Sequence, residues 1–307
     1  MQEIVELRVD EDFASKLFAD NEGEKLGSVR KILISTTDPR FPEIGRLQES
    51  LRRTINRPFF YGWDIRRSYN KKELVLASIF LLLINSLFEP AGEECGTQYD
   101  ETSACPKCGS GAKQVTDLFL DLRRIPKKKD VAVTIAGEIV VSRRLVDLFL
   151  KYKIEGAEFL PVRQKNDPSS ESKEWFQLSV KSMDAEITSP TIIRSTLFND
   201  DKDQSRTDDP KKIVVGNYVQ VLHPLDSERC PTGDLLGLNL ISEVSLKRDS
   251  YNGEDIFSSK QFVGTRRGLI RPQRLIFISQ KLWRVVEEER LKGERIKGVS
   301  FEVAHLV

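Results

Sequence analysis

Four cysteines are the residues whose type and spacing could most clearly do chemistry, because thiolates are nucleophiles and strong zinc ligands. Three of them lie in EECGTQYDETSACPKCGSGAKQ, residues 93–114. Cys105 and Cys108 form a Cys-x-x-Cys-Gly motif, and Cys95 lies ten residues before Cys105. Two cysteines at this spacing on a tight turn can present both sulfur atoms to one metal ion. The motif therefore predicts a zinc site.

A zinc site of this kind needs four ligands, and the second pair of cysteines is incomplete. Cys230 stands in CPTGD, with Gly233 at the position where a second Cys-x-x-Cys motif has its last cysteine. We therefore predict that Cys95 supplies the missing thiolate. The predicted ligands of one Zn²⁺ are Cys95, Cys105, Cys108 and Cys230. A four-thiolate site has no open position for water, so the predicted role of the metal is structural.

Alternatives to this ligand set are open, because Cys95 and Cys230 can also be ordinary small buried residues. His223, in VLHPL, is the substitute ligand if one of them fails. The chain has only two histidines, His223 and His305, and neither neighbours a serine or cysteine motif. The sequence also lacks a glycine-rich phosphate loop and a His-Glu-x-x-His motif. We therefore expect no enzymatic activity.

The composition indicates a soluble globular protein, since 39% of the 307 residues are hydrophobic and 31% are charged. The 48 Lys and Arg residues balance 47 Asp and Glu residues, and a net charge of +1 creates no field that attracts a polyanion. A nucleic-acid partner would need a local basic patch. The N-terminus lacks a signal-peptide pattern, and the most apolar run, residues 74–88, is too short and polar to cross a membrane. We expect a cytoplasmic protein without a membrane partner.

The elements that position the cysteines indicate an α+β fold with mixed sheets. Residues 3–9 alternate as a strand does, and residues 41–55 place apolar side chains at helical spacing. Residues 68–84 begin as a helix near Lys71 and continue as a buried helix or strand. Two polar segments, residues 164–174 and 199–212, are predicted to be loops. The predicted regions are an N-terminal α+β region over 1–90, a zinc knuckle with a first repeat over 91–170, and a linker with a second repeat over 171–307.

An internal repeat relates residues 116–162 to residues 254–303. Each copy contains an Asp-x-Phe segment, a strand that ends in serine, an amphipathic helix and a Gly-x-x-Phe segment. The marker residues are Asp117, Ser142 and Gly156 in the first copy and Asp255, Ser279 and Gly298 in the second. Each serine is expected to cap the helix that follows it, and each glycine to turn the chain with a positive φ. The predicted fold therefore contains two copies of a strand–helix–strand unit.

Two basic clusters fall at matching places in this repeat, between the Asp-x-Phe segment and the strand that ends in serine. The first comprises Arg123, Arg124, Lys127, Lys128 and Lys129, and the second comprises Arg266, Arg267, Arg271 and Arg274. If both face the same side, they form a positive surface that can bind an acidic protein or a nucleic-acid backbone. The alternative is that both clusters belong to solvated hairpin loops.

The cysteine motif and the first repeat together resemble the bacterial double-CxxCG motif immunity proteins of contact-dependent toxin systems. The resemblance is carried by CPKCG and by DLF…VVSRRLVDLFLKYKIEGAEFLPV, and it covers residues 60–165 and 228–307. The second CxxCG is degenerate, because this chain has CPTGD there. The resemblance implies a cytoplasmic, non-catalytic protein that neutralises a cognate antibacterial toxin by stoichiometric binding. The alternative hypothesis is a zinc-ribbon nucleic-acid-binding or defence-associated module that uses the paired basic loops.

Overall fold

The computed structural model describes residues 1–165, 167–194, 196–198, 211–215, 218–222, 230, 232–236 and 239–307. It contains helices and mixed sheets, which confirms the predicted α+β class. One compact unit consists of Met1–Glu73 with Thr196–Leu225, as far as these residues are described, and the other of Leu74–Ser195 with Asp226–Val307. The first boundary, at residue 73, differs from the predicted one at residue 90. Every helix in the described ranges is too short or too polar to span a bilayer.

The unit that contains the N-terminus is built on a four-stranded antiparallel sheet in the order β2-β3-β1-β4. Its elements are β1 Gln2–Asp10, α1 Glu11–Ala14, β2 Glu24–Leu26, β3 Val29–Ser35, α2 Phe41–Ile55, β4 Phe60–Ser68 and the hairpin of β16 Lys211–Val215 with β17 Tyr218–Leu222. Alternation on β1 turns Val5, Leu7 and Val9 into the core, where they form one cluster with Ile44 of α2. Helix α3, Lys71–Leu76, contains the boundary with the larger unit.

The larger unit contains two six-stranded mixed sheets. The first has the order β6-β10-β11-β13-β12-β9, with strands Leu87–Phe88, Val131–Thr134, Ile139–Ser142, Asp167–Val180, Ala157–Gln164 and Leu118–Leu120. The second has the order β14-β19-β22-β5-β21-β20, with strands Ile187–Thr188, Val244–Leu246, Val299–Leu306, Ile79–Ile84, Gln273–Ser279 and Ile256–Val263. The smaller elements are α4 Gly92–Cys95, α5 Arg143–Lys151, α6 Gln280–Leu291, a 3-10 turn at Arg248–Ser250, the pair β7 Tyr99–Asp100 with β8 Lys113–Gln114, and the pair β15 Ile193–Arg194 with β18 Asn239–Leu240.

Residues 164–174 correct the sequence analysis, because they belong to the hairpin of β12 and β13 and not to a loop. Their backbone pairs across the two strands, Arg163 with Glu171 and Gln164 with Asp167, with an irregularity in the register at Arg163. The prediction was wrong because a hairpin that extends past the core needs no apolar residues and so has the composition of a loop. The choice left open within residues 68–84 is settled as α3 followed by the buried strand β5. Most of residues 199–212 lies outside the described residues.

The two large sheets share five strands in the same order and the same directions. The series β10-β11-β13-β12-β9 corresponds to β20-β21-β5-β22-β19, and in each series only the last pair is parallel. The chain order of the central strand differs, because β13 follows β12 whereas β5 precedes the whole first sheet. We therefore call residues 79–164 and 167–306, without the segment 196–225 of the smaller unit, the two copies, and each places its first strand in the centre of the other's sheet.

Backbone hydrogen bonds recur where each exchanged strand ends. The equivalent bonds are Asn85 N–H to Gly298 O at 2.8 Å and Lys181 N–H to Gly156 O at 2.9 Å, followed by Val133 N–H to Ser86 O and Ser258 N–H to Ser182 O, both at 2.9 Å. These bonds join the residues that follow each exchanged strand to both copies. Since each sheet needs a central strand from the other copy, neither copy can complete its sheet alone.

The first copy also binds the second through a buried aspartate at the start of β10. Asp130 accepts hydrogen bonds from Ser142 Oγ at 3.0 Å, from Arg144 Nη2 at 2.7 Å and from the backbone N–H of Lys297, in the other copy, at 2.8 Å. Ser142 also caps α5, as predicted, since its Oγ accepts from Leu145 N at 3.3 Å. The aspartate therefore joins β10, α5 and the turn before β22.

The second copy makes the equivalent interaction with the first copy at the start of β20. Asp255 accepts hydrogen bonds from Ser279 Oγ at 2.8 Å, from Lys281 Nζ at 2.7 Å and from the backbone N–H of Glu155, in the first copy, at 3.1 Å. Ser279 caps α6 by accepting from Leu282 N at 3.2 Å, which confirms the second predicted cap. We call the sets around Asp130 and Asp255 the Asp–Ser clasps.

The clasps correct the predicted alignment of the repeat, because the counterpart of Asp255 is Asp130 and not Asp117. Ser142 follows Asp130 by 12 residues, whereas Ser279 follows Asp255 by 24, so the β20–β21 hairpin is the longer one. Asp117 matched only because it lies 25 residues before Ser142. The two basic clusters are therefore not equivalent. The first lies between β9 and β10, and the second lies in the β20–β21 hairpin.

The glycine that follows each clasped turn makes a close approach to the other copy. Gly156 and Gly298 have φ values of +95° and +97°, as predicted for turn glycines. A Cβ on Gly156 would lie 2.0 Å from Ile256 O, and a Cβ on Gly298 would lie 2.1 Å from Val131 O. Glycine is therefore required at both positions, for its conformation and for the space that a side chain would fill.

Gly298→Ala should destabilise the protein by about 3 kcal/mol or more, because the added Cβ cannot avoid Val131 O. Gly293→Ala is the matched control, since Gly293 has a φ of +87° but no atom within 4 Å of its Cβ position. The control should cost about 1 kcal/mol. Urea unfolding followed by circular dichroism measures both losses, and equal losses would contradict the close approach.

The Asp–Ser clasps should also make the protein sensitive to acid. Burial opposes ionisation of Asp130 and Asp255, but hydrogen bonds from Arg144, Lys281 and backbone amides outweigh it and lower the pKa of both carboxyls. A lowered folded pKa contributes stability that is present above the unfolded pKa of about 3.9. This contribution is lost as the pH falls through the folded pKa.

The double variant Asp130→Asn/Asp255→Asn should lose about 2 kcal/mol per site at neutral pH. Its free energy of unfolding should then fall less between about pH 7 and pH 3 than that of the wild type. Asp249→Asn, at an exposed aspartate, should keep the wild-type pH dependence. Urea unfolding at several pH values measures this dependence. A double variant with the wild-type pH dependence would contradict a contribution of the clasps to acid sensitivity.

Candidate metal centre

Two short loops of the larger unit build the candidate metal centre, and the first follows β7. Cys105 N donates to Ser110 O at 2.7 Å, and Gly109 N donates to Cys105 O at 2.8 Å, which closes the turn. Gly109 has a φ of +77°, a conformation that glycine adopts without strain. The tight turn brings the sulfur atoms of Cys105 and Cys108 within reach of one ion.

The second loop repeats this geometry with one residue fewer. Cys230 N donates to Asp234 O at 3.0 Å, and Gly233 N donates to Cys230 O at 2.7 Å. Gly233 has a φ of +87°, so it corresponds to Gly109 and does not stand in place of a cysteine. This corrects the interpretation of CPTGD. The residue missing from the second loop is the second cysteine itself, and Asp234 corresponds to Ser110.

The two loops bring three of the predicted ligands together. The Sγ atoms of Cys105, Cys108 and Cys230 all lie within 4.8 Å of one another, and those of Cys105 and Cys230 are 3.0 Å apart. The three residues are only 7%, 0% and 3% exposed, and Leu236 packs against them. Cys105 and Cys230 are separated by 125 residues, so a metal ion here would join two distant segments of the unit.

Cys95 lies outside this cluster, which corrects the predicted four-thiolate site. It is the last residue of α4, which packs against β9, and Gly96, with a φ of +109°, ends the helix. Burial raises the pKa of the Cys95 thiol, and its surroundings include the backbone of Asp121 and the Lys165 side chain. Cys95 is therefore an ordinary buried residue, as the alternative interpretation had it.

The clustered thiols differ in acidity. Hydrogen bonds from the Cys230 thiol and from the backbone N–H groups of Cys108 and Lys107 lower the pKa of Cys105 to about 6. Burial raises the pKa of Cys108 to about 11, in spite of its hydrogen bonding with Ser110, whose hydroxyl accepts from the thiol at 3.1 Å. Burial therefore favours the neutral thiol at Cys108, so a metal ion that binds Cys108 must displace a proton.

Asp234 is a candidate ligand that the sequence analysis missed. Its carboxylate is buried, and Oδ2 accepts hydrogen bonds from Ser110 Oγ at 2.6 Å and from Thr232 Oγ1 at 2.7 Å. Oδ2 lies 3.7 Å from Cys108 Sγ, and Oδ1 accepts from Phe262 N at 2.8 Å. Burial opposes ionisation, but the hydrogen bonds outweigh it and lower the pKa of the carboxyl. The sequence signal that could have identified this candidate ligand is the aspartate that directly follows Cys-Pro-Thr-Gly.

The first basic cluster forms an exposed loop, residues 123–129, which we call the basic loop. Its five cations are Arg123, Arg124, Lys127, Lys128 and Lys129, and all are exposed. Arg123 pairs with Asp121 at 3.1 Å, and Ile125, only 1% exposed, anchors the loop in the core. The basic loop therefore stays a candidate partner-binding surface.

The second basic cluster mainly supports the fold. Arg271 is buried, pairs with Glu93 and Glu101 at 3.0 Å, and lies 4.2 Å from the centre of the Tyr99 ring. Arg266 also pairs with Glu101, and Arg274 donates to backbone carbonyls, whereas Arg267 is exposed. The prediction of two equivalent basic loops is therefore wrong, because the longer β20–β21 hairpin uses most of its arginines internally.

The three thiols fit a zinc ion. A Zn–S bond of about 2.3 Å places the sulfur atoms of a tetrahedral site about 3.8 Å apart, which is within the span of this cluster. Hydroxyl and backbone N–H groups already surround the sulfur atoms, as they do around metal-bound thiolates. His305 lies elsewhere, 2.8 Å from Glu243 Oε2, and His223 is outside the described residues.

A scan against protein-family models finds no match to the chain, and a search of the curated proteins finds none either.

The purified chain should contain about one equivalent of zinc, and Cys230→Ser should lose it. Cys95→Ser is the matched control, because it makes the same change at another buried thiol that lies outside the cluster. The control should keep its zinc and its thermal midpoint, whereas Cys230→Ser should unfold at a lower temperature. Elemental analysis and thermal unfolding measure both effects. Loss of zinc from Cys95→Ser, or its retention by Cys230→Ser, would contradict the three-thiol cluster.

Proposed function

We propose that this protein is a non-catalytic, cytoplasmic immunity protein that neutralises a cognate antibacterial toxin by stoichiometric binding. The metal, in this proposal Zn²⁺, holds the binding unit together and takes no part in a reaction. The observation that carries the proposal is the burial of the thiol cluster, which presents no exposed face to a substrate. Catalytic zinc sites keep a position open to water, and structural sites do not.

The architecture of the larger unit supports a role in binding. Exchanged strands and Asp–Ser clasps fix the two copies to each other, and the metal would fix two further loops. A surface that is already ordered loses little conformational entropy when a partner binds. Neutralisation by occlusion depends on such a surface, because it needs tight contact and no turnover.

The basic loop is the surface that we propose meets the toxin. Ile125 anchors its middle, and a turn from Lys129 N to Pro126 O at 2.9 Å fixes its second half. The loop ends at Asp130, which is held in a clasp. A fixed group of exposed cations suits an acidic face on the partner, because complementary charge speeds association and excludes wrong partners.

Co-expression with the protein encoded beside this chain's gene, after a test that this neighbouring protein is toxic by itself, tests the proposal. The wild-type chain should protect cells and form a one-to-one complex with the toxin. Lys127→Glu/Lys128→Glu should slow association by about 10-fold or more and weaken protection. Lys71→Glu/Lys72→Glu is the matched control, since it reverses two exposed lysines outside the basic loop. Absence of protection by the wild type would contradict the immunity function, and equal effects of the two variants would contradict the proposed surface.

The exposed basic loop also favours a second candidate function, nucleic-acid binding. Fluorescence anisotropy with labelled single- and double-stranded DNA and RNA separates the two functions. A nucleic-acid binder would show an affinity that falls steeply with salt, in proportion to the number of phosphates contacted. The immunity proposal expects weak binding that is lost at physiological salt, and tight binding there would favour the second candidate.

A further inference from the structure

We propose that Asp234 is the fourth ligand of the metal, so that the site consists of three thiolates and one carboxylate. The inference rests on the structural metal of the proposed function and adds a ligand from this chain's own departure from the Cys-x-x-Cys motif. The second loop is one residue shorter than the first, and the residue it lacks is the second cysteine. The shortening leaves Asp234 at the edge of the thiol cluster, where it lies beside Cys108.

The distances place the carboxylate within reach of an ion at the cluster. Bonds of about 2.3 Å to sulfur and about 2.0 Å to oxygen separate the two ligand atoms of a tetrahedral site by about 3.5 Å. Asp234 Oδ2 is 3.7 Å from Cys108 Sγ. It lies outside the group in which the three sulfur atoms are mutually close, so the carboxylate must turn inward when an ion binds. Rotation about two side-chain bonds allows this, while the closed turn holds the backbone.

Two hydroxyl groups are placed to release the carboxylate. Thr232 Oγ1 lies 2.7 Å from Asp234 Oδ2 and 3.3 Å from Cys230 Sγ. Ser110 Oγ lies 2.6 Å from Asp234 Oδ2 and 3.1 Å from Cys108 Sγ. Both hydroxyls donate to Asp234 Oδ2, and the Cys108 thiol donates to Ser110 Oγ. When the thiols lose their protons to bind a metal, the hydroxyls can donate to the thiolates and free a lone pair on Oδ2.

The burial of the site is a further argument for a protein ligand in the fourth position. Cys108 is 0% exposed and Asp234 is 5% exposed, so water has little access to the open side of the three thiols. A divalent ion with three thiolates and a carboxylate has the same net charge as one with four thiolates. Phe262 N donates to Oδ1 at 2.8 Å, so Oδ2 is the oxygen that is left to turn toward an ion.

X-ray absorption at the zinc edge tests the ligand set directly. The wild-type protein should show three sulfur atoms at about 2.3 Å and one oxygen at about 2.0 Å. Asp234→Cys should convert this to four sulfur atoms. Asp234→Asn should lower zinc affinity by more than about 100-fold, beyond the usual effect of a residue that only orients a ligand. Glu101→Gln is the matched control, because Glu101 lies just before the first loop in sequence but pairs with Arg271. This variant should leave the zinc affinity unchanged.

The outcomes separate this inference from the proposed function. A wild-type protein without metal would overturn the structural metal and the inference together. Three sulfur atoms and one light atom in both the wild type and Asp234→Cys would overturn Asp234 alone, and loss of the light atom in His223→Ala would then identify the true ligand.

A second measurement applies if Asp234→Cys does not fold. Removing a ligand opens a coordination position, so the cobalt-loaded Asp234→Ala variant should bind imidazole with a change in its visible spectrum. The cobalt-loaded wild type should not respond, because its fourth position is filled. A response in both proteins, or in neither, would overturn the carboxylate as a ligand.

Discussion

The hydrogen bond from the backbone of one copy to the buried aspartate of the other is the interaction on which the larger unit depends. Asp130 accepts a hydrogen bond from the backbone N–H of Lys297, and Asp255 accepts one from that of Glu155. Each copy therefore determines where the other turns into its last strand. Both carboxylates are buried and charged, and they stay so because a serine and a basic side chain accompany each one. Without these partners, the buried charges would destabilise the fold that they now specify.

The exchange of central strands gives this interaction its importance. A sheet that obtains its middle strand from the other copy cannot form first and recruit that copy afterwards. Its contacts join residues such as Phe80 and Val303, which are far apart in sequence. Such contacts carry a large loop-closure entropy, and they become favourable only when both copies assemble. The proposed metal would also link the two copies. Its two loops precede the equivalent strands β9 and β19, so they lie at equivalent places in the copies.

Local patterns allowed part of this structure to be predicted. The two serine caps and the two turn glycines were identified because capping and positive φ depend on a few neighbouring residues. Three members of the thiol cluster were identified because thiols are rare and the Cys-x-x-Cys spacing is specific. The strand exchange and the pairing of Asp130 with Asp255 could not be predicted, since the hairpins differ in length and a coincidental spacing favoured Asp117. Asp234 was missed because CPTGD suggests that Gly233 replaces a cysteine, and only the backbone of the two loops shows that the second loop is one residue shorter.

The two copies are equivalent in the core but not at the surface, and this difference bears on how a partner binds. The segment before Asp130 is the basic loop, whereas the segment before Asp255, residues 247–254, reads KRDSYNGE and carries no net charge. Its cations are also engaged, since Lys247 pairs with Glu186 at 2.9 Å and Arg248 donates to Leu306 O at 2.7 Å. The repeated core therefore presents the basic loop only once. A partner that recognises this loop meets a single binding site per chain, so the duplication of the core does not imply two binding sites.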